Sequence, residues 1–334
     1  YKRQPRLWED NQRSLYSGID LVEVEEDNRP LLVGERTNVI GSRKFKRLIR
    51  EEKYEEASEI ARAQGKAGAH VLDVCLADPD REELADMERF LDQAIRRIKM
   101  PLMIDSTDAK VIERALTWSQ GKAIINSVNL EDGEERFAEV CPLVHRFGAA
   151  LVVGCIDEDP DQGMAVTRKR KIEVARRSHE LLTGKYGMRE EDLIFDPLVF
   201  PCATGDQNYV GSAEETIEGL REIKAAFPAA RTILGISNVS FGLPPAGREV
   251  LNSVFLYHTT KAGLDAAIVN TEKLERYASI PEEERKLAEG LLFAGSPGES
   301  EQAVAAFAAH FRGAASRSVK PKEDLPLDER LARY

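Results

Sequence analysis

The chain has 334 residues, of which 42% are hydrophobic and 31% are charged, a balance typical of a globular protein with a large buried core. Its net charge of −11 provides no basic surface for nucleic acid or an anionic membrane, and no apolar segment approaches the ~18 residues that span a bilayer. The four cysteines are far apart and form no C-x-x-C pair, which predicts a reducing, cytoplasmic location without disulfides or a zinc cluster.

The two ends of the sequence predict a segment of a longer protein. The chain starts at Tyr1 rather than at a methionine, and it stops within the polar string "DERLARY". Residues 1–30 mix charges of both signs with little periodicity. We therefore expect an N-terminal linker there, or a strap that lies against the next domain.

Eight short apolar runs in the central region predict eight strands, because each is followed by a charged segment, most of them with helical spacing. The runs are almost continuously apolar, as in a parallel sheet covered by helices. Eight such units over about 240 residues predict a (β/α)8 TIM barrel. A doubly wound open sheet is the alternative, weakened because no G-x-G-x-x-G follows the first strand. The predicted strands are 31–37, 70–76, 101–106, 122–128, 149–156, 193–199, 231–237 and 266–270, and the predicted helices are 43–64, 82–98, 133–146, 167–184, 213–226 and 247–261.

The region after the last strand predicts a helical extension. The strings "PEEERKLAEGLLF" and "ESEQAVAAFAAHFRGAA" have helical composition, and "SRSVKPKEDLPLDERLARY" is polar and rich in Lys and Pro, as linkers are. We therefore divide the chain into an N-terminal linker (1–30), a barrel (31–294) and a C-terminal helix and linker toward another module (295–334).

A short polar side chain stands at the end of every predicted strand. In barrels of this kind the C-terminal ends of the strands form the active face. Asp and Asn also favour turns and helix N-caps, so any one of them has an ordinary structural explanation. Their presence on all eight strands indicates a polar pocket at the barrel mouth, formed by Asn38, Asp73, Asp105, Asn126, Asp157, Asp196, Asn238 and Asn270.

The polar ring has few cations to balance it, which restricts its ligands. Ionised carboxylates leaving buried strands need hydrogen-bond donors, since an unpaired buried charge is costly. The loop after the seventh strand offers only Arg248 as a cation, about ten residues on, and the segment after the eighth strand, "AAIVNTEK", is not Gly-rich as a phosphate site would be. A flat heterocycle with several N–H groups fits this ring best. Oxygen ligation of Mg2+ by Asp105, Asn126 and Asp196 is an alternative that nothing in the spacing requires.

Several long strings, in the same order as here, resemble the pterin-binding barrel family. Within it they are most similar to the methyltetrahydrofolate-binding domains of cobalamin-dependent methionine synthases, from Leu31 to Phe293. The closing "DLPLDERLARY" resembles the start of their cobalamin module. Cys75 is a departure, because relatives usually have asparagine two residues after Asp73. The strings are "GERTNVIGSRKFKRLI", "MIDSTDAKVIERAL", "GKAIINSVN", "FDPLVFP" and "GISNVSFGLP".

Related families give the alternatives. Dihydropteroate synthases share the barrel but typically carry an Arg-Lys pair after the seventh strand, where this chain has Asn238-Val239. Folate-dependent methyltransferases that serve separate corrinoid proteins share the SNVS motif. Two further alternative functions are a folate-binding module without catalysis and a Mg2+-dependent barrel lyase.

The resemblance implies transfer of the methyl group from 5-methyltetrahydrofolate to cob(I)alamin on a neighbouring module of the same longer chain. Homocysteine and its zinc ion would then belong to a separate module, and this chain would hold no metal of its own. The implied catalytic residues are Asn238, which would hydrogen-bond the methyl-bearing nitrogen, and Asp157, which would join its network. The implied substrate-binding residues are Asn38, Asp73, Asp105, Asn126, Asp196 and Arg248.

Overall fold

The computed structural model describes residues 13–314, in which eight parallel strands close into a barrel. Each barrel strand pairs in parallel with the next one along the chain, and the last pairs with the first. Helices alternate with the strands, so the predicted (β/α)8 TIM barrel is confirmed. The barrel strands are β3 (Leu31–Gly34), β4 (Val71–Val74), β5 (Leu102–Asp105), β6 (Ile124–Leu130), β7 (Ala150–Asp157), β8 (Leu193–Asp196), β9 (Arg231–Gly235) and β10 (Ala266–Val269).

The helices form where amphipathic segments start at capping residues. The side chains of Ser42, Asp108 and Thr167 accept hydrogen bonds from the first turns of α1, α4 and α6. Gly148 ends α5 with φ 64°, a conformation that costs glycine little. The helices are α1 (Arg43–Arg50), α2 (Tyr54–Lys66), α3 (Glu83–Ala94), α4 (Ala109–Leu116), α5 (Glu135–Phe147), α6 (Arg168–Glu180), α7 (Ser212–Ala226), α8 (Pro245–Ala262), α9 (Glu282–Leu292) and α10 (Pro297–His310).

Two helix predictions differ from the structure. The segment predicted as one helix over 43–64 is two helices, since the chain turns between α1 and α2 with Glu52 at φ 55°. The helix α4 was not predicted, although Val111, Ile112, Ala115 and Leu116 bury one face of it against the barrel. None of the helices in residues 13–314 is long and apolar enough to cross a membrane.

A two-stranded hairpin, not predicted as strands, lies across the N-terminal end of the barrel. It consists of β1 (Leu15–Ser17) and β2 (Leu21–Glu23), and its Tyr16 is buried among the apolar side chains of the barrel interior. The backbone N–H of Ser17 donates to the carbonyl of Lys122 at 3.0 Å. At Gly18 a Cβ atom would stand 2.4 Å from the Lys99 carbonyl oxygen, so only glycine allows this approach. The hairpin therefore closes the bottom of the barrel.

The two helices after β10 pack on the barrel side formed by α8. Phe307 and Phe311 of α10 and its C-terminal turn belong to the same apolar cluster as Phe255 of α8. The predicted linker from Ser316 onward, and residues 1–12, lie outside the described residues. The predicted domain boundaries after residues 30 and 294 stay predictions.

Candidate functional site

The site is built on the uppermost layer of side chains inside the barrel. Side chains alternate between the two faces of a strand, so residues two positions beyond an interior residue also point inward. The apolar interior layer includes Val33, Val71, Met103, Ile124, Val152, Ile194, Ile233 and Ala266. The next inward positions toward the C-terminal mouth are Glu35, Asp73, Asp105, Asn126, Gly154, Asp196, Gly235 and Ile268.

A cavity of about 670 Å3 stands above this layer and is lined by six of those eight residues. The apolar layer beneath forms its floor, and loops at the C-terminal ends of the strands form its walls. Most of the sequence-predicted site residues are brought together here, namely Asn38, Asp73, Asp105, Asn126, Asn238 and Arg248.

Asn38 joins two carboxyl groups on neighbouring strands. Its backbone forms a bridge with Cys75, which continues the pairing of β3 and β4 beyond the strand ends. Its amide nitrogen donates to Asp73 Oδ2 at 3.1 Å and to Asp105 Oδ2 at 3.2 Å. Its amide oxygen accepts from the N–H of Ile40 at 2.9 Å, which fixes the amide orientation. Asn38 therefore holds the two carboxyl groups together on one side of the cavity.

These carboxyl groups bind protons more tightly than usual. Burial, with the Asp105 charge beside it, raises the pKa of Asp73 well above its ordinary value. Burial also raises the pKa of Asp105 to about 6, against an opposing hydrogen bond from the Cys75 thiol. The buried Oδ1 atom of Asp73 has no hydrogen-bond partner within residues 13–314. A ligand with N–H groups would satisfy these oxygens.

Two carboxamides in the cavity make no side-chain hydrogen bonds to any described residue. Asn126 lies on the inward row of β6, where its backbone carbonyl accepts from the N–H of Ser106 at 3.2 Å and its side chain lines the cavity. Asn238 lies in the short 3-10 turn Ile236–Ser240 that follows β9. Each carboxamide has both a donor and an acceptor free for a ligand.

Arg248 stands at the rim of the cavity on the first turns of α8. Its Nε donates to Ser240 Oγ at 3.2 Å, and its guanidinium lies 5.3 Å from the centre of the Phe241 ring. The contact with Phe241 is a cation–π arrangement that leaves the outer guanidinium nitrogens available. Arg248 can therefore meet an acidic or carbonyl-bearing part of a ligand that extends out of the barrel.

The sequence of this barrel matches a known protein family. Residues 34–270 match the family model of pterin binding enzymes. This chain belongs to the pterin-binding enzyme family. It is 39% identical to the methionine synthase of Mycobacterium tuberculosis and 38% identical to that of Mycobacterium leprae, each over 97% of its own length. It spans only 27% of the length of either relative.

Solved structures give the same fold. The dihydropteroate synthase of Xanthomonas albilineans with 4-aminobenzoic acid superimposes with a TM-score of 0.53 at 16% identity, over 76% of this chain and 92% of that one. The Yersinia pestis dihydropteroate synthase in a sulfonamide drug complex has a TM-score of 0.53 at 16% identity, over 88% of this chain and 97% of that one. At this identity the likeness concerns the fold alone.

Asp196 of the pterin-binding barrel lies on the inward row of β8 but is not among the residues that line the cavity. Its Oδ1 accepts from the N–H of Leu198 at 2.8 Å. Burial raises its pKa to about 6, although that N–H and the Lys171 amine oppose the shift. Lys171 is fully buried and donates to the carbonyls of Ala165 and Pro197, which ties together the loops after β7 and β8.

Asp157, another sequence-predicted site residue, lies outside the cavity and pairs with helix α6. It ends β7 three residues beyond the inward Gly154, and it does not line the cavity. Its carboxylate accepts from Arg170 at 2.6 Å, and Arg177 is 3.8 Å away. The described contacts of Asp157 are ion pairs with α6, and its expected catalytic role stays a prediction.

Glu35 is a cavity residue that the sequence reasoning missed. It lines the cavity, and its carboxyl oxygens lie 3.0 and 3.2 Å from Ser237 Oγ. The alternation Leu31, Val33, Glu35 was a usable signal, because it extends the inward row of β3 by one step. Asn38, chosen from the same strand end, reaches the cavity from the loop instead. No group of three or more His, Cys, Asp or Glu side chains in residues 13–314 is arranged to hold a metal ion.

Proposed function

We propose that this chain binds 5-methyltetrahydrofolate in the cavity and transfers its methyl group to cob(I)alamin presented by another part of a longer methionine synthase. The observation that carries the proposal is the pairing of carboxyl groups of raised pKa with the uncommitted carboxamides of Asn126 and Asn238 in one cavity. Membership of the pterin-binding family and the likeness to mycobacterial methionine synthases support the same substrate class.

The pterin ring would lie across the inward layer. Its amino and ring N–H groups are donors, and carboxyl oxygens are their natural acceptors. Asp73 Oδ1, buried and without a hydrogen-bond partner among residues 13–314, is one such acceptor. Asn126 would complement a ring edge that both donates and accepts. Asp105, Asp196 and Asn38 would complete this side, with Arg248 on the remaining part of the folate.

Asn238 would act on the nitrogen that loses the methyl group. A tertiary amine is a very poor leaving group, so this nitrogen must gain a hydrogen bond or a proton by the transition state. A carboxamide does not titrate near neutral pH, but it can accept from a protonated nitrogen and donate to an unprotonated one. Asn238 would therefore stabilise the transition state without being the acid.

Cob(I)alamin would be a second substrate of this chain. Its corrin ring is too large to enter a cavity of about 670 Å3 that already holds folate, so it would stay outside the barrel. Cob(I)alamin supplies the nucleophile that attacks the methyl carbon. It would approach the open mouth, whose rim presents Ile40 and Phe241, with 78% and 46% of their surfaces exposed. Homocysteine and zinc would belong to other modules of the longer cytoplasmic enzyme.

The test is a methyl-transfer assay on residues 1–334. The chain is incubated with 5-methyltetrahydrofolate and chemically reduced free cobalamin, and the corrinoid spectrum and the release of tetrahydrofolate are followed together. We expect tetrahydrofolate in proportion to the corrinoid change. Binding without transfer would identify a folate-binding module only. Formation of dihydropteroate from a pterin pyrophosphate and 4-aminobenzoate would favour the synthase alternative, although this chain has Asn238-Val239 where synthases typically carry an Arg-Lys pair.

A matched titration separates substrate preference from general pterin binding. We expect tighter binding of 5-methyltetrahydrofolate than of a pteroate that lacks the methyl group, since Asn238 would contact the methyl-bearing nitrogen. Equal affinities would remove Asn238 from the contact. Retention of transfer in the presence of a chelator would exclude the Mg2+-dependent lyase reading.

A further inference from the structure

We infer that Glu35 is the general acid of this cavity and delivers the proton that the folate nitrogen needs when its methyl group leaves. The inference rests on the proposed methyl transfer and names a residue that the family resemblance did not supply. Glu35 immediately follows β3, on the inward row of that strand, and lines the cavity.

Glu35 is the cavity carboxyl connected to the loop that carries Asn238. Its carboxyl oxygens lie 3.0 and 3.2 Å from the hydroxyl of Ser237, the residue immediately before Asn238. Asp73 and Asp105 are tied to each other through Asn38 on the other strands. Glu35 is therefore hydrogen-bonded to the residue next to Asn238, the proposed contact of the methyl-bearing nitrogen.

The surroundings of Glu35 suit an acid that must hold its proton. No Lys or Arg nitrogen among residues 13–314 lies within ion-pair distance of its carboxyl oxygens. Burial raises the pKa of Glu35, and this shift is opposed by the Ser237 hydrogen bond and the more distant charges of Arg36 and Arg248. The Glu35 charge in turn helps to raise the pKa of Asp73.

Other charged groups that face this side of the cavity are already engaged. Glu249 of α8 accepts from Lys273, which follows β10, at 2.6 Å. Both residues line the cavity. Because they pair with each other, they contribute little net charge at Glu35. The protonation of Glu35 is therefore set mainly by its burial, by Ser237 and by Arg36 and Arg248.

The proton balance of the step is simple. The bond between the folate nitrogen and its methyl carbon breaks and leaves its electron pair on the nitrogen, while the acceptor supplies the pair for the new bond to the methyl carbon. The nitrogen pair takes a proton from the Glu35 carboxyl, either directly or through the Ser237 hydroxyl. Glu35 is left as a carboxylate and regains its proton from water at the open mouth.

The test compares Glu35→Gln with the wild-type chain in single-turnover methyl transfer across a range of pH. A general acid contributes about 10²–10⁴ in rate, so we expect the variant to be at least ~10²-fold slower. The acid works only when protonated, so the wild-type rate should be full below the pKa of Glu35 and should fall above it. Glu35→Gln should lack that falling limb, and its dissociation constant for 5-methyltetrahydrofolate should stay within about threefold of wild type.

Ser237→Ala is the second variant and does not depend on how Glu35→Gln folds. Removing the hydroxyl takes away a hydrogen bond that lowers the pKa of Glu35, so the falling limb should move to higher pH. The Glu35 carboxyl titration, read by carbon-13 NMR in the absence of corrinoid, should move in the same direction. This readout is independent of activity.

Any of the following outcomes would overturn the inference that Glu35 is the general acid. A Glu35→Gln chain that transfers methyl at the wild-type rate, or with the wild-type pH profile, would show that the proton comes from elsewhere. A rate loss explained wholly by weaker folate binding would make Glu35 a binding residue. A falling limb unmoved by Ser237→Ala would assign that limb to another group. If the wild-type chain itself transfers no methyl group, the proposed function fails first.

Discussion

Asp196→Asn offers a sharp test, because it should make the protein more stable while it damages the site. The carboxyl group ends β8, and its pKa is raised from 3.8 to about 6, chiefly by burial. Asparagine keeps the oxygen that accepts from the N–H of Leu198 at 2.8 Å and removes only the charge. The variant therefore isolates the cost of burying that charge.

The sign of the stability change follows from the direction in which folding shifts the pKa of Asp196. Folding raises the pKa of Asp196, so the folded protein holds more protons than the unfolded chain between pH 3.8 and about 6, and stability is lost as the pH rises through this window. The rise of this pKa from 3.8 to about 6, at about 1.36 kcal/mol per pH unit, corresponds to about 3 kcal/mol above pH 6. At pH 5 the same relation gives about 1.6 kcal/mol, and below pH 3.8 the effect vanishes.

The assay is urea unfolding of both proteins at pH 7.5 and pH 5. We expect Asp196→Asn to raise the free energy of unfolding by about 3 kcal/mol at the higher pH and about half as much at the lower. The same variant should bind 5-methyltetrahydrofolate more weakly, by about tenfold, through loss of a charged acceptor. A gain that is absent at pH 7.5, or equal at the two values, would refute the reasoning. Asp157→Asn is the matched control, and it should destabilise the protein by about 1–3 kcal/mol because Arg170 loses its partner.

Four further substitutions test separate parts of the molecule. Asn238→Ala should slow methyl transfer by about 10²–10³ while the melting temperature stays unchanged, since its side chain makes no hydrogen bond to a described residue; an unchanged rate would remove Asn238 from the mechanism. Lys171→Met should weaken folate binding several-fold, because the loop next to Asp196 loses its buried donor. Lys224→Met, which breaks a 2.8 Å contact at the opposite end of the barrel, should lower stability without changing that affinity, and equal binding losses would contradict this distinction. Tyr16→Ala should destabilise the protein by about 3–5 kcal/mol in urea unfolding without changing the dissociation constant, and a native-like midpoint would show that the hairpin contributes little.

The sequence predicted the barrel because its strands carry a strong local signal. Each is an apolar run bounded by charged helical segments, and a parallel barrel requires that pattern. The break after α1 has no such signal, since Glu52 takes a left-handed conformation without a nearby glycine or proline. The helix α4 has only eight residues, and its buried face becomes clear only once the barrel surface beneath it is known. The hairpin depends on contacts with residues about a hundred positions away, such as Lys122.

The candidate site was predictable where counting along a strand works. Asp73, Asp105 and Asn126 each lie two positions beyond an interior residue, and all three line the cavity. On β7 counting gives Gly154, whereas Asp157 was chosen by composition and lies three positions further along the strand. Glu35 was overlooked although the alternation Leu31, Val33, Glu35 places it on the inward row. It is a glutamate, and the site prediction considered only Asp and Asn at the strand ends.

The hairpin that closes the bottom of the barrel has a kinetic consequence. With Tyr16 and the apolar layer filling that end, the residues that the structure describes leave the cavity open at the mouth formed by the C-terminal ends of the strands. If two reactants use the same entrance and one of them covers it when bound, the other must enter the cavity first. Under the proposed function, folate must enter before the methyl acceptor arrives and leave after it departs. Initial-rate patterns should therefore be those of a compulsory-order mechanism, with the acceptor as the second substrate and the first product to leave.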